Sequence, residues 1–336
     1  MIKYYKSTEK RKSINSTPKQ EKSPSQGKDV EGLYLGDFYE ESKQITPGTV
    51  DLLTVDPPYG VLKTVEWDTP LDWELTEEVF ADLLTPMGQA IIFCNARLRD
   101  KIKITFGSLL EIRHELVWLK SCALPVSQYS PIPNAEFMLV IKKKGVRPSE
   151  LVFNPNETLQ PGDPYRKKNI NREISIRQET KPEVDVNETG ARFIKQVISA
   201  PSKPNMLKAE RSNHPTQKPL LLMRELIRVY SNPGQLILSP FAGSGTDLIA
   251  ADMEGRRCIG YELNEAYYKE AVARIAQYHS QGDFFRLDTS IIWTNQMKRF
   301  SSKYGIRRRR IRISLFYVDW AVYTADDHNM LFGQDL

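Results

Sequence analysis

Gln235-Leu-Ile-Leu-Ser-Pro-Phe-Ala-Gly-Ser-Gly-Thr-Asp-Leu-Ile-Ala-Ala-Asp-Met253 is the stretch that decides the fold. Residues 235–238 form a short apolar run that reads as a buried strand. Ser239-Pro-Phe-Ala-Gly-Ser-Gly-Thr246 follows as a glycine-rich turn and opens directly into a helix from Asp247 to Met253. Gly243 and Gly245 let the backbone pass close to a ligand and turn tightly. Arg257-Cys-Ile-Gly-Tyr-Glu262 is the next strand, which makes a β-loop-α-β unit of roughly 30 residues. N–H groups at such a helix start favour an anionic group. A carboxylate ending the second strand, here Glu262, commonly holds both hydroxyls of a ribose. The turn is not the nicotinamide fingerprint and lacks the lysine of a nucleoside-triphosphate loop. A nucleoside without a pyrophosphate fits it better; a purely structural turn is the alternative.

Upstream, Asp51-Leu-Leu-Thr-Val-Asp-Pro-Pro-Tyr-Gly60 holds a second buried strand that stops at two prolines. Proline cannot donate to a sheet ladder and fixes its own φ. Asp56 and the carbonyls of Pro57 and Pro58 are therefore expected at the carboxyl edge of a parallel strand, where open α/β sheets bind ligands. With Tyr59 beside them, two acceptors and an aromatic face suit a planar ring bearing an exocyclic amine. An ordinary Asp-Pro turn is the alternative.

Around these two segments, strands and helices alternate. Gly32 to Asp37 reads as a short strand and turn, and Glu74 to Leu84 as a helix that Pro86-Met-Gly88 stops. Gln89 to Asn95 reads as a strand, Ala96 to Leu110 as a helix, and Leu116 to Lys120 and Phe137 to Lys143 as strands. Leu220 to Ser231 and Asn264 to Tyr278 are helices. This spacing implies an α/β fold, a mostly parallel sheet with helices on both faces.

The chain has 336 residues, 40% hydrophobic and 26% charged, ordinary values for a soluble globular protein. No run approaches the about eighteen apolar residues of a membrane span, and the polar, basic start is no export signal. A cytoplasmic protein without a membrane role is expected. Cys94, Cys122 and Cys258 lack metal-ligand spacing, so reduced thiols and no metal site are expected. A net charge of +5 permits a polyanionic partner. Residues 1–31 read as a disordered basic tail. From Gly145 to Asn213 long apolar periods vanish, and Arg166-Lys-Lys168 and Arg172 suit a lobe outside the main sheet that grips a polyanion. Asp163 with Glu179-Thr-Lys181 mimics a nuclease triad, a pattern that arises easily by chance in charged sequence. Arg307-Arg-Arg-Arg310 and the alternation over Ile311 to Phe316 suggest a basic edge strand or hairpin.

Asp56-Pro-Pro-Tyr59, His214-Pro-Thr-Gln-Lys-Pro219 and Ser239-Pro-Phe-Ala-Gly-Ser-Gly-Thr246, in that order, resemble the β-class amino-methyltransferases of DNA. The resemblance covers residues 32 to about 280 and implies a Rossmann-like S-adenosylmethionine-dependent methyltransferase fold, mostly parallel, with an inserted target-recognition region. It implies a catalytic half at 32–144, the insertion at 145–213 and a cofactor-binding half at 214–282; beyond that the resemblance fades, and residues 283–336 read as a basic C-terminal extension.

It also implies base flipping and transfer from S-adenosylmethionine to the N6 amine of adenine in DNA. Asp56, Pro57, Pro58 and Tyr59 would be catalytic. Phe241, Gly243, Ser244, Gly245 and Thr246 would surround the methionine and ribose parts of the cofactor, and Glu262 would take the ribose hydroxyls. Asp37 would lie by the adenine; Thr216, Gln217 and Lys218 would add contacts from before the glycine turn. The family usually opens that turn with Asp. Here the position is Ser239, still a cofactor-binding candidate because it can accept a hydrogen bond, but without charge for the cofactor's ammonium; nearby Asp56 could partly compensate. Asn134 and Glu136 receive no role beyond a pocket wall. An N4-cytosine enzyme, a catalytically silent DNA-binding protein of the same fold, and an RNA or protein amine substrate remain as alternatives. A homodimer and a separate restriction endonuclease are compatible partners that the sequence does not decide.

Overall fold

A computed structural model describes residues 32–60, 68–125, 128–158, 165–168, 184–187 and 192–280. The expectations for residues 1–31 and 283–336, and for Asp163, Arg172 and Glu179 to Lys181, lie outside the described residues.

Eight strands form one sheet: β1 (Gly32–Leu35), β2 (Val50–Val55), β3 (Leu84–Cys94), β4 (Leu110–Lys120), β5 (Ala135–Lys143), β8 (Val197–Ala200), β9 (Leu236–Ser239) and β10 (Arg257–Glu262). The spatial order is β1-β10-β9-β2-β3-β5-β4-β8, and β5 alone runs against the others. A separate two-stranded sheet pairs β6 (Tyr165–Lys168) with β7 (Val184–Asn187). Among the described residues the α-helices are α1 (Phe38–Glu41), α2 (Trp73–Leu83), α3 (Ala96–Thr105), α4 (Leu220–Tyr230), α5 (Thr246–Met253) and α6 (Glu265–Ser280).

Both faces of the sheet are covered, which is why its central strands are almost continuously apolar. Leu52, Ile91, Phe93 and Ile237 pack on one face with Leu222, Leu226 and Val229 of α4 and Leu248 and Ile249 of α5. Leu53, Val55, Ile92 and Leu238 pack on the other with Phe80 and Leu83 of α2 and Leu98 and Ile102 of α3. The second half of the chain places β9 beside β2, in register at Leu52–Ile237 and Leu53–Leu238. Two strand ends separated by most of the sequence thus become neighbours at the carboxyl edge, where the strand order switches.

Three boundaries differ from expectation. Pro86 does not end α2 from outside the sheet; it lies within β3, at a bulge where partners jump from Val50–Leu84 to Leu52–Gln89. Proline is tolerated there because a bulge leaves ladder positions unpaired. Helix α3 stops at Thr105, and β4 starts at Leu110. The cause is Glu77, buried at 3% exposure, whose carboxylate accepts from the N–H groups of Gly107 (2.9 Å), Leu109 (3.0 Å) and Leu110 (2.9 Å) and from Ser108 Oγ (2.7 Å). Those donors are withdrawn from a continuing helix. Lastly, β8 extends the main sheet beyond β4, with the Trp118 indole donating to the Ala200 carbonyl at 3.1 Å. The segment from 145 to 213 is therefore not wholly outside that sheet. Asn154 Nδ2 donates to the carbonyls of Arg228 and Ser231 at the end of α4, both at 3.1 Å, so residues before and after 159–191 are stitched to the core.

Candidate functional site

Strands β2 and β9 end side by side, and the polar residues at those ends meet. Thr54 Oγ1 and Ser239 Oγ both donate to Asp247 Oδ2, at 3.0 and 2.6 Å. All three residues are buried, so the Asp-Pro-Pro-Tyr segment and the glycine turn share one rim.

Beyond Val55, Asp56 lies at the strand end. Its Oδ1 receives Lys218 Nζ at 2.5 Å, and the Tyr59 hydroxyl is 3.3 Å away. Oδ2 of Asp56 has no partner among the described residues. The one phenolic proton of Tyr59 goes to Glu136 Oε1 at 2.7 Å. Glu136 also meets Lys120 at 2.7 Å and Lys218 at 3.2 Å. Lys218, at 7% side-chain exposure, thus bridges two carboxylates. Burial pushes the Asp56 carboxyl up, against the pull of Lys218. Burial would also raise Glu136, but Lys218 and Lys120 outweigh it and hold that carboxyl at about 2. Burial, then Asp56 and Glu136, raise Tyr59, which stays a neutral phenol.

The glycine turn is as tight as its composition demands. Gly243 and Gly245 have φ of +52° and +70°. A Cβ on Gly243 would come 3.1 Å from His214 Nε2, and one on Gly245 would come 3.2 Å from Ile275 Cδ1. Left-handed backbone in so confined a place calls for glycine. Glu262 closes the turn, accepting from Gly243 N and Asn264 N at 2.8 Å each. Burial raises its carboxyl. Asp37 lies at the end of β1, next to β10, with Gly36 N donating to the Glu262 carbonyl at 3.0 Å; its side chain caps α1 through Tyr39 N at 2.8 Å. Phe241 is half-buried, edge-on to Phe38 with ring centroids 6.1 Å apart.

Other expected residues are engaged elsewhere. Ser244 and Thr246 hydroxyls meet each other at 3.0 Å, and Arg274 donates to Thr246 Oγ1 and the Ser244 carbonyl at 2.8 Å. Gln217 turns toward Ser212, accepting from its N–H at 2.7 Å, and donates to the Glu210 carbonyl at 2.8 Å. Its amide braces the preceding loop. Thr216 is exposed, its Oγ1 3.5 Å from His214 Nδ1. Lys218 faces Asp56 and engages its Oδ1.

Sequence reading assigned no site role to four residues that the structure brings to this rim: Glu136, Lys120, Asp247 and His214. Glu136 and Lys120 flank the β4–β5 connection, where Glu136 pairs in register with Trp118; Glu136 was read only as a pocket wall, and no local pattern marks Lys120. Asp247 was legible only as the first helical residue after the turn. His214 was quoted in its motif, but the space it fills beside Gly243 is visible only in three dimensions.

A family profile described as DNA methylase matches residues 50–273. The chain belongs to the DNA methylase family. The methylase is 27% identical over 276 residues to the DNA adenine methyltransferase YhdJ of Escherichia coli strain K12, covering 74% of this chain and 84% of that one. Over 66 residues it is 47% identical to the type II methyltransferase M.HindIII of Haemophilus influenzae, covering 20% of this chain and 21% of that one. The solved PvuII DNA methyltransferase, cytosine-N4-specific, superposes with a TM-score of 0.50 at 15% identity, over 72% of this chain and 85% of that one, a likeness of fold. Methyl transfer from S-adenosylmethionine to amines of DNA is the chemistry of this family, and the methylase has an acceptor-lined strand end and a bare glycine turn on one rim. Among its described residues no helix is long and apolar enough to cross a membrane.

Proposed function

We propose that this methylase transfers a methyl group from S-adenosylmethionine to the N6 amine of adenine in DNA. The observation that carries this reading is the state of Asp56. One carboxylate oxygen is held by Lys218 and the other has no partner among the described residues, at a proline-stiffened strand end beside the glycine turn. An oxygen so placed is an acceptor for an amine N–H.

The cofactor fits the residues present. The glycine turn leaves no room for a side chain at Gly243, so a ligand there meets bare backbone. Glu262, already oriented by Gly243 N and Asn264 N, keeps lone pairs for ribose hydroxyls. Phe241 and the rim at Asp37 would border the nucleoside. When bound, S-adenosylmethionine supplies an electrophilic methyl on a sulfonium, and sulfur takes the bonding pair as a neutral thioether.

An adenine amine is a weak nucleophile because its lone pair is delocalised into the ring. Asp56 Oδ2 and the Pro57 carbonyl would accept its two N–H bonds, favouring a pyramidal nitrogen whose lone pair points at the methyl. The prolines keep both acceptors from retreating. As the N–C bond forms, Asp56 faces the developing positive charge and takes the released proton on its way to water. Tyr59 would border the ring, which must leave the duplex first. Pro58 holds Tyr59 in place, and the Glu136 contact sets the phenol's orientation.

Adenine is favoured over cytosine by the Asp that leads Asp56-Pro-Pro-Tyr59 and by the likeness to YhdJ over most of both chains. The test is enzymatic digestion of DNA methylated by the purified protein, followed by nucleoside mass spectrometry. N6-methyl-2′-deoxyadenosine is expected; N4-methyl-2′-deoxycytidine, or no methylated nucleoside, overturns the proposal.

A further inference from the structure

Asp247 occupies the first turn of α5, directly after the glycine turn, and only 7% of its surface is exposed. Its Oδ2 accepts from Ser239 and Thr54, but Oδ1 has no hydrogen-bond partner among the described residues. No fully buried side-chain polar atom there lacks a partner, so Oδ1 keeps an opening rather than being sealed in. Nor does Asp247 form an ion pair among the described residues. The cations it senses are engaged elsewhere, Lys218 with Asp56 and Glu136, and Arg274 with Thr246 Oγ1 and the Ser244 carbonyl. A carboxylate this buried without a counter-ion is costly, and its burial raises it to about 6 against the hydrogen bonds from Ser239 and Thr54. A cationic ligand group would remove that cost.

The neighbouring residue makes the same point. An Asp at 239 would sit within hydrogen-bond distance of Asp247 and repel it; the serine instead donates to it at 2.6 Å. Strand end and helix start together hold one carboxylate and one hydroxyl, with the carboxylate on the helix side.

We propose that Asp247 binds the α-ammonium group of S-adenosylmethionine through Oδ1, with Ser239 and Thr54 orienting it. This rests on the cofactor assignment above and deepens it: the charge missing from the strand end is delivered from α5. The ammonium lies at the methionine end of the cofactor, away from the ribose contact at Glu262.

The test is isothermal titration of the full-length protein with three ligands: S-adenosylmethionine, S-adenosylhomocysteine and 5′-methylthioadenosine, which keeps the nucleoside and sulfur but lacks the ammonium. Asp247→Asn should weaken the first two about 10- to 100-fold and leave the third within about twofold. The exchanged pair Ser239→Asp with Asp247→Ser should recover most of the affinity that Asp247→Ser alone removes, which also separates charge placement from a folding defect. Equal losses for all three ligands, no loss, or failure of the exchanged pair overturn the inference. If the unaltered protein binds methylthioadenosine but neither ammonium-bearing ligand, the inference fails while a nucleoside site stands. Should it bind none of the three, the cofactor assignment itself falls.

Discussion

Lys218 reaches Asp56 and Glu136 from a nearly closed position, and that one cation decides how the site divides its labour. It engages Oδ1 of Asp56 and leaves Oδ2 without a partner among the described residues, while Glu136 stays ionised and holds the Tyr59 phenol. Asp56→Ala is therefore expected to lower turnover by at least about a thousandfold while S-adenosylhomocysteine affinity changes by less than about threefold. Single-turnover kinetics and equilibrium binding on the same preparation check this; parallel loss of both would mean that Asp56 serves the cofactor or the fold. Asp247 carries the pH dependence. Raised to about 6 by burial, it is largely neutral below that pH and charged above it. Cofactor affinity should accordingly rise from about pH 5 to about pH 7, provided the charges near it, the Asp56–Lys218 pair and Arg274, do not change. Titration calorimetry across that window should show the rise in the unaltered protein and a flatter profile in Asp247→Asn. The catalytic segment and the glycine turn were legible as motifs because both are contiguous. Glu136 was not, since its importance comes from a lysine and a tyrosine on two other elements.

At the scale of elements, hydrophobic period identified the main strands and helices, and the errors fell where one side chain from elsewhere overrides local preference. Glu77 is the clearest case. Burial alone would raise its carboxyl, yet hydrogen bonds from residues 107–110 outweigh that and lower it. Glu77→Ala would strand three backbone N–H groups and a hydroxyl, and is expected to cost about 3–5 kcal/mol. Urea denaturation measures this; a loss under about 1 kcal/mol would show that the α3–β4 turn does not depend on Glu77. Gly107, a helix-stop signal, marks the early end of α3 locally, but that α2 supplies the acceptor for the turn is visible only in the fold. The same holds for Pro86, which local rules place outside a strand and which the bulge against Val50 admits.

For the whole molecule, residues on either side of 159–191 come together: Thr158 Oγ1 is 3.5 Å from the Arg192 carbonyl, and Ile194 N donates to the Pro155 carbonyl at 2.8 Å. We propose that target recognition resides within 159–191, a narrower span than composition suggested. Replacing it with a short glycine-serine linker should abolish site preference on DNA while preserving cofactor affinity and the melting transition. Sequencing of modified bases against a random library, with calorimetry, checks both; retained preference would move recognition elsewhere. Stability should also respond to acid. His114, beside Tyr230, and His214, beside the glycine turn, are both lowered to about 4, chiefly by burial. Groups held neutral in the fold but free to charge when unfolded stabilise above the ordinary histidine range, and that contribution disappears as pH falls toward 4. Asp247 works the opposite way, since its raised carboxyl favours the fold while protonated. Asp56, Glu210 and Glu262, raised by burial too, act in the same sense as Asp247, so the check is the histidine itself: between about pH 7 and about pH 5 the urea midpoint of cofactor-free His214→Gln should fall less, or rise more, than that of the unaltered protein.

The amino-acid sequence by itself determined what short-range physics encodes: apolar runs that must be buried, prolines that stop a strand, glycines that permit a left-handed turn, and the order of three motifs. Tertiary structure alone decided the rest. It set β9 between β10 and β2, ran β5 against its neighbours, and joined Lys218 to Asp56 across 162 residues and Thr54 to Asp247 across 193. The reason is that strand order follows from covering both faces of one sheet with the available helices. A buried charge in turn takes its role from whichever partners that packing brings within reach.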